Sequence, residues 1–171
     1  MSAATFFGID PGPVPGIVEL HVVDRALADV FVIQCTDRLA PSLLRSRVSL
    51  LSNTEWGADV TFQVEQFVVS RRAGRSSSAG AGEQTRRLIG RLQEVVEERH
   101  SLLDLHLRTA SQVKAWAADE RLQRAVLGGR DTSLFLQTAG MRHARDAARH
   151  ALFAAVHAGA LPDPLSKDWR R

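Results

Sequence analysis

Short apolar runs punctuate the first 35 residues of the chain, and they predict three β-strands. The runs cover residues 5–9, 16–23 and 30–35, and polar or turn-forming residues separate them. Because the separating segments are short, they suit hairpins, and we predict an antiparallel meander at the start of the chain.

Further along, apolar positions recur with the helix period as well as the strand period. Leu44, Val48 and Leu51 follow the i, i+4, i+7 spacing that puts side chains on one face of a helix. On this basis we predict helices over residues 41–52, 83–99, 111–118, 119–127 and 141–158, and strands over residues 59–69 and 103–109. Ser111 is a predicted N-cap, and the glycines and serines of residues 73–82 predict a mobile loop.

The predicted order of elements is three strands, a helix, a strand, a helix, a strand and further helices. Connections that contain a helix favour parallel pairing of the later strands and put helices on both faces of the sheet. We therefore predict an α/β fold built on a mixed five-stranded sheet. A chain of 171 residues, 44% of them hydrophobic, fits one domain, which we assign to residues 1–160 with an irregular tail over residues 161–171.

The sequence offers no sign of a membrane or secreted protein. No apolar run reaches the roughly 20 residues that a membrane helix needs, and no basic segment followed by a hydrophobic stretch marks a signal peptide. Cys35 is the only cysteine and lies in an apolar run, so it forms no internal disulfide. We expect a protein of the reducing cytoplasm.

Arginine is the informative feature of the composition. The formal charge is only +3, yet 20 of the 22 basic residues are arginines. Arginine forks onto phosphate oxygens, although genomic codon bias explains such a ratio equally well. Residues 71–91 carry six arginines against Glu83 alone, a local charge of +5. A patch of this kind attracts a polyanion.

Two acidic residues end strand-like apolar runs, where a buried charge needs a partner. Asp10 precedes Pro11 and Gly12, so a strand-ending turn is the simpler interpretation of this residue alone. Glu65 lies on the same side of its predicted strand as Thr61 and Gln63. If that side is solvated, Glu65 is an ordinary surface residue.

A histidine and an aspartate share one face of the last predicted helix. His143 and Asp146 are spaced i, i+3 and therefore lie side by side. Alanines surround them, and small residues let a helix approach a sheet closely enough to bring the pair to the strand carboxylates. His150 follows one turn later; we interpret it as marking the core boundary, with support of the site as the alternative.

Carboxylates and an imidazole that converge in this way suit Mg²⁺ or Mn²⁺, which prefer oxygen ligands. Two such ions about 4 Å apart activate a water and stabilise the departing 3′ oxygen of a phosphodiester. The histidine either ligates an ion or orients the water. The sequence has no Cys/His cluster for zinc, no GxxxxGK[ST] loop and no nucleophile-elbow serine. Metal-dependent phosphodiester chemistry is the predicted activity.

Several segments together resemble the RuvC-type Holliday junction resolvases. That family has an aspartate in a Gly-Ile-Asp-Pro-Gly motif on its first strand, a glutamate on its fourth strand and an Asp-or-His-x-x-Asp pair on its last helix. The corresponding residues here are Asp10, Glu65, His143 and Asp146, and Lys114 corresponds to a lysine near the scissile phosphate. The resemblance covers residues 5–158 and implies a ribonuclease H-like fold, with which the predicted mixed sheet is compatible.

The resemblance implies an endonuclease that binds a four-way DNA junction as a homodimer and nicks two symmetric strands, leaving 5′-phosphate and 3′-hydroxyl ends. It implies that the four acidic and histidine residues hold two Mg²⁺ or Mn²⁺ ions, and that Lys114 acts with them. The predicted DNA-binding residues are Arg71, Arg72, Arg75, Ser76, Ser77, Ser78, Gln84, Arg86 and Lys114. The helix over residues 83–99 corresponds to the family's dimer helix, so Leu88, Leu92 and Val95 either form that interface or pack on the sheet.

Departures from the family leave alternatives open. Phe67 stands one position earlier than the aromatic residue that the family has after its glutamate, and residues 115–120 replace a Thr-Gly-x-Gly-x-Ala-x-Lys stretch. Sequence-selective cleavage therefore does not follow from the resemblance. A nuclease of flaps, branched forks or viral DNA and a DNA-binding module with a vestigial site are the alternative functions. A diverged, phage-encoded member in the cytoplasm of a bacterial cell or phage-infected host fits these departures.

Overall fold

A five-stranded mixed sheet forms the centre of the computed structural model, which describes residues 2–52, 54, 59–66, 79–98, 100 and 105–169. Its strands are β1 (Ala3–Asp10), β2 (Gly16–Val23), β3 (Ala26–Gln34), β4 (Val60–Gln66) and β5 (Leu105–Thr109). They lie in the order β3-β2-β1-β4-β5. β2 pairs antiparallel with β1 and β3, whereas β4 pairs parallel with β1 and β5. The predicted meander and mixed sheet are confirmed.

Helices cover both faces of this sheet, as predicted. They are α1 (Ala40–Leu51), α2 (Ala79–Glu97), α3 (Ala110–Trp116), α4 (Asp119–Arg124), α5 (Leu134–Gln137) and α6 (Arg142–His157). One core packs α1 and α2 against Phe7, Ile9 and Phe62, and the other packs α6 against Phe6 and Leu20. Because β1 contributes side chains to both cores, it reads in the sequence as a continuous apolar run.

The structure corrects three local predictions. α2 begins at Ala79 rather than at residue 83, so residues 79–82 are helical although they were predicted as loop. Burial of the helix's apolar face outweighs a cost of about 1 kcal/mol for each glycine in its first turn. The N-cap of α3 is Thr109 instead of Ser111, in a capping box with Gln112. α5 was not predicted, because a four-residue helix is too short to display a period.

Leu88, Leu92 and Val95 are buried inside a single chain. Each is at most 2% exposed, and all three pack in the core between α2, α1 and the sheet. Of the two interpretations drawn from the sequence, the structure shows packing on the sheet. Since these side chains already lack solvent access, any dimer interface on α2 must use its outward face instead.

The segment after α6 contains neither helix nor strand in residues 161–169. It is nevertheless attached to the domain: Arg121 donates to both carboxylate oxygens of Asp163 at 3.0 to 3.2 Å, and Trp169 packs against the α6-side core. The boundary at residue 160 stays a prediction. Among the residues described, no helix is both long and apolar enough to cross a membrane.

A buried charge cluster joins α1 to β2. The Glu19 side chain is fully buried; Arg47 donates to it from Nε at 2.7 Å and from Nη2 at 3.2 Å, and His21 Nε2 lies 2.8 Å from its Oε1. Burial raises the pKa of Glu19, but the hydrogen bonds from His21 and Arg47 outweigh it, so its net pKa lies below the ordinary value. Ionised Glu19 therefore stabilises the fold above the pKa it has in the unfolded chain, about 4.3.

We expect Arg47→Ala to lower the free energy of unfolding by about 3 kcal/mol at pH 7, because it leaves a buried carboxylate without the guanidinium that donates to both of its oxygens. Arg45→Ala is the matched control: Arg45 also forks onto a glutamate, Glu98, but both side chains are nearly half exposed, so its loss costs less than about 1 kcal/mol. Urea titration measures both. Equal losses of unfolding free energy in the two variants would contradict the stabilising role of the Glu19–Arg47 pair.

In the wild type, the stability that ionised Glu19 contributes declines as the pH falls through its lowered pKa.

Candidate active site

Asp10 and His143 lie side by side although 133 positions separate them. His143 Nδ1 is 2.7 Å from Asp10 Oδ2, a hydrogen-bond distance. Asp10 is the last residue of β1 and is 6% exposed, and the Gly12 N–H donates to its other oxygen at 3.2 Å. The turn predicted after Asp10 is therefore present, and it holds the carboxylate toward α6.

Two glycines let α6 approach the sheet this closely. A Cβ on Gly8 would lie 2.0 Å from the Ala147 carbonyl oxygen, and a Cβ on Gly16 would lie 2.3 Å from that of His143. Both distances are far below van der Waals contact. Backbone thus packs on backbone, which brings His143 to β1 and agrees with the close approach that the alanines of α6 predict.

Gln34, at the end of β3, fixes the first turn of α6. Its Oε1 accepts a hydrogen bond from the His143 N–H at 3.0 Å, while the N-cap residue Met141 supplies no side-chain cap. A first-turn N–H has no partner within the helix, so a side chain from elsewhere must satisfy it. Gln34 was not singled out from the sequence, because its partner is more than 100 positions away.

Asp146 lies between two basic side chains. Lys114 Nζ donates to its Oδ2 at 2.8 Å, and Arg149 pairs with its Oδ1. Arg149 also pairs with Asp119 and donates from Nε to the Ala117 carbonyl oxygen at 3.1 Å. Sequence reasoning missed Arg149, although its i, i+3 spacing from Asp146 was a usable signal. The network ties α6 to the segment between α3 and α4.

Glu65 of β4 and His150 of α6 lie next to each other. His150 is fully buried, and its Nε2 lies 3.3 Å from Glu65 Oε2 without hydrogen-bond geometry. Glu65 Oε2 and both His150 ring nitrogens have no hydrogen-bond partner among the described residues. The polar side of β4 is not solvated, since Gln63 on that side is only 3% exposed. His150 is therefore more than a boundary residue, because it contacts a residue of the candidate site.

Electrostatic coupling links the carboxylates of this region. Burial raises the pKa of the Asp10 carboxyl; the hydrogen bond with His143 lowers it, and the charges of Glu65 and Asp146 raise it, with a net shift upward. The negative charges of Glu65 and Asp146 thus act on the Asp10 carboxylate. A positive charge bound among them would relieve this repulsion.

The residues fit a divalent cation by chemistry, although not in their present rotamers. No group of three His, Cys, Asp or Glu side chains within the described ranges is arranged to hold a metal ion. Asp10 is within hydrogen-bond distance of His143, and Asp146 forms ion pairs with Lys114 and Arg149. The unpartnered Glu65 oxygen and the raised Asp10 pKa are what a hard-ion site shows without its ion.

Two solved structures from Thermus thermophilus are similar to this chain. The first, RuvC in complex with Holliday junction substrate, has a TM-score of 0.59 at 18% identity, covering 91% of this chain and 95% of that chain. The second, also RuvC, has a TM-score of 0.55 at 17% identity, covering 91% and 97%. This chain has a RuvC-like fold. No protein-family model and no curated protein match its sequence.

The residues predicted to bind DNA are divided between the described and undescribed parts of the chain. Gln84 Nε2 donates to Asp37 Oδ2 at 2.7 Å, and Arg86 is exposed on α2. Gln84 lines a cleft of about 440 Å³ together with Arg38, Arg87 and Arg91. The remaining predicted residues, Arg71, Arg72, Arg75, Ser76, Ser77 and Ser78, lie outside the described residues, as does Phe67.

Proposed function

We propose that the protein is a metal-dependent, structure-selective DNA endonuclease that resolves four-way junctions by paired symmetric nicks. One observation carries the proposal: Asp10 and His143, from opposite ends of the chain, lie 2.7 Å apart at the edge of the sheet where β1 and β4 end. Asp146 and Glu65 are close enough to raise the pKa of Asp10. The RuvC-like fold over 91% of the chain supports the same activity.

The side chains of this site have separable tasks in the proposed reaction. When bound, Mg²⁺ or Mn²⁺ supplies Lewis-acid activation of water and charge stabilisation at the leaving 3′ oxygen. Asp10, Glu65 and Asp146 would hold two such ions through their carboxylate oxygens, and His143 would either ligate one or orient the attacking water. Lys114 neutralises Asp146 in the free protein. With DNA bound, its ammonium can donate to a phosphate oxygen instead.

The wider DNA surface and the oligomeric state belong to the proposal as well. The arginines and serines of residues 71–78, together with Gln84, Arg86 and Lys114, would contact the phosphate backbone. A four-way junction has two equivalent strands to cut, which suits a symmetric homodimer. The outward face of α2 is the surface we propose for that interface.

Cleavage of three labelled substrates tests this function. With Mg²⁺ or Mn²⁺, we expect an immobile four-way junction to receive paired symmetric nicks, and a flap and a linear duplex to be cut far more slowly. Equal cutting of all three would instead favour a general branched-DNA or viral DNA-processing nuclease of this fold. Sequencing-gel mapping of the nicks gives position and stoichiometry in one experiment.

A non-catalytic DNA-binding module is the second candidate function. The neutralisation of Asp146 by both Lys114 and Arg149 favours it, because two protein cations already occupy the oxygens that a metal ion would need. Junction binding without cleavage in Mg²⁺ and in Mn²⁺ would establish this function and overturn the first.

A further inference from the structure

A groove lies alongside the last turns of α6. It has a volume of about 220 Å³ and is bounded by β4, β5 and α6. Its polar lining comprises Thr61, Gln63, His106, Arg108 and His157. Nothing in the sequence reasoning singled out His106, Arg108 or His157.

Strand register connects this groove to Glu65. In the parallel pairing of β4 with β5, Glu65 is opposite Arg108 and Gln63 is opposite His106. Residues in register on neighbouring strands lie about 4.8 Å apart and point to the same face. Arg108 is thus the immediate neighbour of Glu65. Thr61, which lines the groove, lies about 13 Å from Glu65 along β4.

The groove presents hydrogen-bond donors and positive charge. Among the residues that the structure describes, no acidic side chain lines it. Arg108 is exposed and makes no hydrogen bond or ion pair with any described residue. The His157 ring is held by the Phe153 carbonyl oxygen, 2.9 Å from Nδ1, which leaves Nε2 as its other polar atom.

A buried amide adds an independent observation. Gln63 is 3% exposed, and its Nε2 has no hydrogen-bond partner in the described part of the chain. An unsatisfied buried donor destabilises the fold unless a ligand or a water molecule accepts its hydrogen bond. Because this donor lies in the lining of a cationic groove, an anion is the ligand that satisfies both features.

We propose that the groove binds a backbone phosphate of the DNA strand that passes through the candidate active site. This inference rests on the proposed function and adds a subsite to it: Arg108 forks onto the phosphate oxygens, and Gln63 and His106 donate hydrogen bonds. The groove is smaller than the roughly 300–1,000 Å³ pockets that enclose drug-sized ligands, so it suits a phosphodiester and not an enclosed nucleotide.

Salt-dependent junction binding tests the subsite. Fluorescence anisotropy with a labelled four-way junction in EDTA, which prevents cleavage, gives the dissociation constant at several salt concentrations. We expect Arg108→Ala to weaken binding roughly ten-fold. We also expect it to lower the slope of log K against log salt by about 0.7–0.9, the value for one phosphate contact. Arg108→Lys should keep the slope, since it keeps the charge, while losing part of the affinity.

Arg130→Ala is the matched control, because Arg130 is likewise exposed but pairs with Asp29 on the edge strand β3. Its slope should equal that of the wild type. If Arg108→Ala leaves the slope unchanged while the wild type binds and cuts junctions, the phosphate subsite is wrong and the proposed function stands. If the wild type neither binds nor cuts branched DNA, the proposed function itself fails, and the subsite with it.

Discussion

Asp10→Asn is expected to reduce junction cleavage by at least about 10³-fold while leaving junction binding nearly unchanged. The substitution removes the carboxylate that lies 2.7 Å from His143, and the loss of several kcal/mol of transition-state stabilisation corresponds to that factor. We expect binding to persist because the DNA contacts that we propose come from arginine and lysine side chains elsewhere. Single-turnover cleavage and anisotropy on one protein preparation separate the two effects.

Asp29→Asn serves as the control for this experiment. Asp29 lies on β3, where it is exposed and pairs with Arg130. Its neutralisation should leave the cleavage rate at the wild-type value. An Asp10→Asn variant that cuts as fast as the wild type would remove Asp10 from the catalytic machinery. Loss of binding along with cleavage would instead assign to Asp10 a role in holding the DNA or the fold.

Gly8→Ala is expected to destabilise the protein by at least about 3 kcal/mol, the upper end of ordinary overpacking. The added methyl group would meet the Ala147 carbonyl oxygen at 2.0 Å and the Ala151 nitrogen at 2.5 Å. Both are backbone atoms of α6, which cannot move aside as a flexible side chain can. The helix must shift as a whole, and cleavage should fall because His143 moves away from Asp10.

Gly90→Ala is the matched glycine substitution. A Cβ at Gly90 meets nothing within 4 Å, and the residue lies within α2. The alanine should stabilise the protein by about 0.5–1 kcal/mol through its higher helix propensity. Thermal unfolding of the two variants measures the contrast. A Gly8→Ala protein as stable as the wild type would show that α6 does not pack on the β1 backbone.

The sequence predicts the meeting of Asp10 and Glu65 for a general physical reason. Both residues lie at or near the carboxyl ends of strands, and parallel strands bring those ends to one edge of a sheet. The i, i+3 spacing then predicts that His143 and Asp146 share a helix face. The sequence does not reveal how closely that helix approaches, because this depends on Gly8 and Gly16, whose contacts are distant along the chain.

Other parts of the site are fixed by tertiary packing alone. Whether Glu65 is solvated depends on what covers β4, and the structure covers it with α6 and the buried His150. Arg149 resembles an ordinary helix-surface arginine until its pairing with Asp119, 30 positions earlier, becomes visible. The spacing of apolar and polar residues along the chain predicts neither the contact of Glu65 with His150 nor the pairing of Arg149 with Asp119.

Mn²⁺ binding shows whether the carboxylates and His143 form one cation site. Electron paramagnetic resonance of free Mn²⁺, titrated with protein in the absence of DNA, reports binding independently of cleavage. We expect one such site, with saturable binding to the wild type that is lost in both Asp10→Asn and Glu65→Gln, and with both variants folded by circular dichroism. Variants that bind Mn²⁺ as tightly as the wild type, or a wild type that binds none at millimolar concentrations, would contradict it.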